Sequence, residues 1–386
     1  MDRLRIYPWL FALTLSSAYA LMVWHSENMI GLSGIPIGAD YITYWSASQM
    51  AEHGRLADSY DVVEIRSVQQ LAAPVSSVWG WFYPPTFAML LAPITSSNYL
   101  ASFVIFSIFG LLIFTVAILR IAPPARLLHA MLLAPAIFIN LGNGQNAALT
   151  AGIAGLGLSM IGRQPIAAGL LLGVLTFKPQ LALPLVFLLA MHREYQALAG
   201  VMITTVLLAT ISVAIYGWEP WWAWLGGIEL ANQLNTKGQL PWHKMSSLFS
   251  FLRAIDWSIF AAQIAQAIFA VAILLWTWKR FKHLTASPLR HAAWCAACLT
   301  LSPHLFNYDM LWLVPCLAWL AIYADAFSAN TMRWLMPAAT LIWIYPLAAP
   351  LLQTQLGLTL EWLTPLLMLW ILHHAERNLA KHRNTT

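Results

Sequence analysis

Apolar runs of roughly 20 residues recur along the chain, separated by short polar interruptions. None shows the two-residue alternation of a membrane β-strand, so the pattern predicts helices. The runs predict spans at 7–25, 98–119, 127–141, 146–161, 165–177, 180–191, 195–216, 257–278, 291–303, 308–323, 333–350 and 358–373. That makes about 12 crossings, with Arg3 and Arg5 holding the first span's start, and hence both termini, in the cytoplasm. The first span is expected to stay uncleaved, because no small-residue cleavage site follows it. The short run 84–94 reads as a re-entrant or tilted piece, since Arg120 and Arg126 allow one net crossing between Trp81 and Arg120.

The exception to this rhythm is a long loop, 26–81. It predicts two amphipathic helices. The first runs from Asp40 to His53, with Tyr41, Tyr44, Trp45, Ser48 and Ala51 on one stripe and Gly54 ending it. The second starts at Asp61 with Glu64 three residues on, a variant of the capping box, and ends before Pro74. Val62, Ile65 and Val68 share its apolar face, and both helices are expected to lie in the interface plane.

Composition agrees with the pattern. Sixty per cent of residues are hydrophobic, 9% are charged, and the mean hydropathy is +0.67. A soluble domain could not hide that much apolar surface, so the fold class is an all-α polytopic membrane protein in one domain, 1–386. The net charge of +5 is dispersed, which argues for membrane orientation and against nucleic acid. Many of the 20 tryptophans fall near span ends, as interfacial anchors do. Cys295 and Cys298 form a CxxC inside an apolar span, which fits packed small residues better than redox or zinc chemistry. Nothing recommends a cofactor or a metal site.

Six of the 15 acidic residues fall between Glu27 and Glu64, so the first loop is expected to build an aqueous site. Asp40 either caps its helix or faces that site, and the two roles are compatible. Lys178 interrupts the apolar stretch from Gly169 and precedes the helix-breaking Pro179. A charge there either snorkels from a span end or meets an anion such as phosphate. Gly142-Asn143-Gly144-Gln145-Asn146 is a tight turn or a polar ligand site. Ser302-Pro303-His304-Leu305-Phe306-Asn307-Tyr308-Asp309 is a helix break that is either a hydrated loop or part of the same site. Arg55, Arg66, His243, Lys244 and Arg253 are further outward cations. Four tryptophans between Trp218 and Trp224 form an interfacial belt or a surface for stacking substrate.

Several of these pieces, in this order, resemble glycosyltransferase family 87, the polyprenol-phosphate-dependent mannosyltransferases of GT-C architecture. They are Asp40-Tyr41 with Ala47, Gly54 and Tyr60, then Tyr83-Pro84-Pro85 and Pro93, then Gly144-Gln145-Asn146, Lys178-Pro179 and Ser302-Pro303. The resemblance implies sugar transfer from a polyprenyl-phosphate donor to a lipid or glycan acceptor at the outer face of a bacterial inner membrane. It implies Asp40 as the catalytic carboxylate and Lys178 as the donor-phosphate residue. Substrate contacts are expected at Tyr44, Tyr83, Asn143, Gln145, Asn146, His304, Tyr308 and Asp309. Where some members follow Ser-Pro with tryptophan and paired histidines, this chain has His304-Leu305-Phe306-Asn307. The chemistry agrees: a base deprotonates the acceptor hydroxyl, a cation steadies the leaving phosphate, and direct displacement inverts the anomeric centre. The competing expectation is a transporter of lipid-linked precursors, against which the absence of a clear inverted repeat counts.

Overall fold

The structure, a computed structural model, describes residues 3–32, 34–95, 98–236, 245–357 and 359–383. His243 and Lys244 lie outside the described residues. Among the described residues, eighteen α-helices follow in chain order. The first span is α1 (Arg3–Trp24), and the first loop and its exit carry α2 (Tyr41–Glu52), α3 (Val62–Ala72) and α4 (Pro85–Thr95). The central bundle is α5 (Tyr99–Ile121), α6 (Ala125–Leu132), α7 (Pro135–Asn143), α8 (Ala147–Met160), α9 (Pro165–Gly173), α10 (Pro179–Met191) and α11 (Tyr195–Tyr216). The remainder is α12 (Glu219–Thr236), α13 (Leu248–Ala254), α14 (Ile259–Phe281), α15 (Pro288–Leu301), α16 (Leu313–Ala321), α17 (Ala329–Leu356) and α18 (Leu363–Arg383). Among the described residues there is no β-strand, only isolated bridges such as Met245 with Phe306.

Among the described residues, six segments are long and apolar enough to cross a membrane: Ile6–Trp24, Tyr99–Ile121, Ala125–Asn143, Tyr195–Tyr216, Ile259–Phe281 and Ala329–Gln355. Their faces stay apolar where exposed, as at Leu112, Val206 and Ile268. The expected spans at 146–161, 165–177 and 180–191 are shorter helices. At 1.5 Å per residue, a helix such as α8 rises only about 21 Å, less than the roughly 30 Å of hydrocarbon. Of these short helices, α8 is largely buried, whereas α9 and α10 keep exposed apolar edges at Ile166, Leu183 and Phe187. Backbones also approach closely: a Cβ on Gly169 would collide with the Ala197 carbonyl oxygen, so α9 rests directly on α11. The helix α15 is buried along almost its whole length, including Cys295 and Cys298, which are free and packed in the core with Cys316.

The first loop departs from expectation. Of the 12 residues of α2, all but Gln49 and Glu52 are buried, so it is a core helix rather than one lying in the interface plane. Aromatic packing holds it there. The Tyr41 ring lies 5.2–5.9 Å from those of Tyr44, Tyr99, Phe103 and Phe106. Only α3 has the expected amphipathic character, with Ile65 buried and Val63 exposed, although Val62 is exposed as well. Asp61 caps it by accepting from the Val63 and Glu64 N–H groups. Glu64 does not close a capping box; its carboxylate pairs with Arg55 at 2.7 Å.

Candidate functional site

Five chain breaks place the polar residues at one end of the bundle. Asp40 precedes α2, Tyr83 precedes α4, and Gln145 and Asn146 join α7 to α8. Lys178 separates the 3₁₀ turn Val174–Phe177 from α10, and Asp309 sits in the 3₁₀ turn Asn307–Trp312. Helix ends leave backbone and side-chain groups free for work other than the helix ladder.

Asp40 occupies the N-cap position of α2, yet its side chain makes no capping bond. Its backbone is already helical (φ −80°, ψ −19°), which turns the carboxylate away from the first-turn N–H groups. It accepts instead from Gln145 Nε2 at 2.8 Å. The turn carrying Gln145 is fastened to the same loop, because the Asp40 N–H donates to the Asn143 carbonyl at 2.8 Å. Gly144 makes the approach possible. It adopts φ +64°, and a Cβ there would lie 2.7 Å from both the Gly38 carbonyl oxygen and Tyr41 Cβ.

From Gln145 the hydrogen bonds continue inward. Tyr44 Oη donates to Gln145 Oε1 at 2.5 Å and lies 2.9 Å from Tyr83 Oη. Asn146 Nδ2 donates to both phenol oxygens, at 3.1 and 2.9 Å. Asn146 Oδ1 accepts from Lys178 Nζ at 3.1 Å, and the same ammonium donates to Asp309 Oδ1 at 2.5 Å. Asp309 Oδ2 accepts from the Phe306 N–H at 3.4 Å. One continuous network therefore joins Asp40 to Lys178 and Asp309, residues scattered across the chain.

The environment is apolar and tightly held. Lys178 and Asp309 side chains are 2% and 1% exposed, whereas Asp40 is half-buried at the outer end. Phe177 stacks on Phe87 with centroids 4.3 Å apart, and Phe87 packs against Tyr44, Tyr83 and Trp81, so the ring cluster fixes Lys178 relative to both phenols. The Tyr308 ring lies 5.3 Å from Lys178 Nζ. Burial pushes the Tyr44 phenol well above its ordinary pKa, and the neighbouring Tyr83, Tyr308 and Asp40 add to it. Tyr83 is raised by burial too, with Lys178 pulling the other way. Both phenols therefore keep their protons and serve as donors.

Of the expected substrate-contacting residues, Tyr44, Tyr83, Gln145, Asn146, Tyr308 and Asp309 converge here. Asn143 contributes its backbone carbonyl, while its side-chain amide donates back to Ile139 at 2.8 Å. His304 packs beside Phe249, ring centroids 6.1 Å apart, and burial lowers its pKa. Among the described residues no three His, Cys, Asp or Glu side chains converge on a metal-sized site. Sequence reasoning did not single out the buried acid Glu361, although it lies at the edge of a polar interruption; the available signal was a lone acid beside Trp362 between two apolar runs.

Two apolar grooves flank the bundle. One, of about 1090 Å³, lies between α1, α6, α16 and α17 and holds none of the candidate residues. The other, of about 230 Å³, is lined by Pro84, Thr86, Pro179, Leu183, Trp221 and Trp224, the chain neighbours of Tyr83 and Lys178 among them.

An all-helical membrane protein with a buried carboxylate–amine network at one end of its bundle is the class these features define. Within that class, the model of glycosyltransferase family 87 matches residues 81–305, more than half of the chain, and the chain belongs to that family. The matched region includes Tyr83, Gln145, Asn146, Lys178 and His304, while Asp40, Tyr308 and Asp309 lie outside it. Comparison with curated proteins and comparison with solved structures each gave no match.

Proposed function

We propose that this membrane glycosyltransferase takes a sugar, mannose, from a polyprenyl-phosphate donor and transfers it to a lipid or glycan acceptor. The observation that carries the reading is the hydrogen-bonded series from half-buried Asp40 to the Lys178 ammonium through Gln145, Tyr44, Tyr83 and Asn146. It gives a base and a cation a common polar path inside an apolar bundle.

Asp40 is the general base that accepts the proton of the acceptor hydroxyl as that oxygen attacks the anomeric carbon. Gln145 Nε2 donates to the carboxylate at 2.8 Å and so fixes its position relative to the α7–α8 turn. The glycosidic C–O bond to phosphate breaks as the new bond forms, and the electron pair leaves with the phosphate oxygen. Attack and departure on opposite faces invert the anomeric centre.

An ammonium has three N–H donors, and Asn146 and Asp309 accept two from Lys178. The remaining one meets the phosphate as its charge grows, in surroundings of low dielectric where such a contact is strong. The 230 Å³ groove beside Pro84 and Pro179 takes the first part of the prenyl chain. In this reading the chain crosses a bacterial inner membrane about 12 times, with the site on the periplasmic side.

The test is transfer by the purified protein from synthetic polyprenyl-phosphate mannose to extracted membrane lipids, followed by mass spectrometry. A new glycosidic product that disappears with Asp40→Asn supports the reading. Movement of donor lipid between leaflets with no glycosidic product overturns it in favour of a transporter.

A further inference from the structure

Glu361 lies in the connection between α17 and α18, far from every residue assigned a role above in the chain but not in space. Its side chain is 3% exposed. Ser246 Oγ donates to Glu361 Oε2 at 2.5 Å. The Ser246 N–H in turn donates to the Leu305 carbonyl at 2.7 Å, on the segment that leads to Asp309. Thr364 Oγ1 lies 3.5 Å from Met310 Sδ, a second tie between the Glu361 connection and the Asp309 turn. The Asp309 charge acts on Glu361 and, after burial, helps raise its carboxyl to about 8.

The second carboxyl oxygen, Glu361 Oε1, is buried with no hydrogen-bond partner. So are Thr359 Oγ1, Trp362 Nε1 and Asn307 Oδ1, which lie on the two segments that Ser246 joins. Buried polar atoms without partners cost stability, and four of them on adjoining segments call for a ligand. Three of the four are oxygens able to accept, while the indole N–H donates. The nearby Lys178 ammonium is already matched by the Asp309 carboxylate, so the corner offers no spare positive charge to an anion. What satisfies such a set is a group presenting several hydroxyls.

We propose that Glu361, Ser246, Asn307 and Thr359 form a hydroxyl-binding subsite for a sugar ring, beyond the Lys178–Asp309 pair in the series that starts at Asp40. It rests on the sugar-transfer reading and adds to it: the phosphate meets Lys178, and the ring's hydroxyls meet Glu361. The ring belongs either to the donor or to the acceptor, and these share the same chemistry.

Two measurements test this. The first needs no turnover. Dicyclohexylcarbodiimide labels buried, protonated carboxyls, and peptide mass spectrometry reads labelling at Glu361 in the intact protein in detergent. Octyl mannoside and octyl glucoside are expected to slow that labelling at least fivefold, while tetraethylene glycol monooctyl ether does not. Equal labelling under all conditions means an ordered water alone fills the corner, and the proposal fails. The second is kinetic. Glu361→Gln and the milder Ser246→Ala are expected to raise one substrate's KM roughly tenfold with kcat nearly unchanged, as loss of a ground-state hydrogen bond does. A rise for the lipid donor assigns the ring to the donor, and a rise for the acceptor assigns it there; unchanged values for both overturn the subsite. If the wild-type protein transfers no sugar, the function proposed above fails, and the labelling result still decides this one.

Discussion

Lys178 Nζ lies 2.5 Å from Asp309 Oδ1, joining positions 131 residues apart, and neither side chain reaches solvent. A buried pair of this kind recovers its desolvation cost only with further hydrogen bonds, which Asn146 and the Phe306 N–H provide. The pair sets where the ammonium sits and leaves it one unused donor. Asp309 thus orients Lys178, and in the proposed function Lys178 is the partner that meets the phosphate.

This relationship separates stability from function. Lys178→Ala leaves Asp309 buried and uncompensated, and is expected to cost about 3–5 kcal/mol. The joint replacement Lys178→Met with Asp309→Leu removes both charges and is expected to regain most of that stability. Thermal unfolding in detergent measures the first effect, and the transfer assay the second. The double variant should remain inactive; sugar transfer by it at wild-type rate would show that Lys178 serves only the fold.

Asp40 is expected to behave in the opposite way. Because the carboxylate makes no capping bond, Asp40→Asn takes no cap from α2. An asparagine oxygen still accepts from Gln145 Nε2. Unfolding temperature should move little, while turnover falls by about 10²–10⁴-fold, the usual worth of a positioned base. A variant retaining a tenth or more of wild-type turnover would remove Asp40 from that role.

Much of this site is legible in the sequence, for a physical reason. Lys178 stands out because a charge within an apolar run is costly unless it has work or a partner, and Gly144 because glycines among carboxamides between apolar runs mark a tight turn or a polar site. The pairing with Asp309 is not legible, since contact across 131 residues leaves no local periodicity. The burial of α2 is hidden for a different reason. Its polar residues Thr43 and Ser46, off the stripe of Tyr41, Tyr44 and Trp45, read as a solvent face, but short hydroxyls pack inside a helix bundle at small volume. Glu361 is hidden because an acid beside a tryptophan at a span end also reads as an ordinary interfacial loop.

Gly144→Ala tests how closely the two arms of the site must meet. The new Cβ would lie 2.7 Å from the Gly38 carbonyl oxygen, a backbone atom that cannot move without moving the loop. The backbone at φ +64° adds strain of about 1 kcal/mol for a residue with a side chain. The turn must therefore retreat from α2, and the Gln145–Asp40 bond opens with it. Turnover is expected to fall at least tenfold with a modest loss of stability. Gly142→Ala is the control, because nothing lies within 4 Å of a Cβ at that position. Equal activity of the two variants would show that the approach of α7 to the Asp40 loop does not matter for catalysis.

Glu361 gives the protein a pH dependence whose sign follows from its surroundings. Burial, opposed by the Ser246 hydrogen bond and reinforced by Asp309, raises its carboxyl from 4.5 to about 8. Over that window the folded protein keeps the proton and the unfolded chain does not. The stabilisation is complete below about pH 4.5 and is lost as the pH rises through about 8, at no more than about 1.4 kcal/mol per pH unit. Glu361→Gln has no proton to lose, so its unfolding temperature should be flatter with pH than that of the wild type. The measurable quantity is the difference between the two at a series of pH values, since contributions from other titrating groups cancel in it. That difference should grow in favour of the glutamine variant from about pH 5 to about pH 8. A difference that stays constant would place the carboxylate in a hydrated setting, with its charge already satisfied at neutral pH.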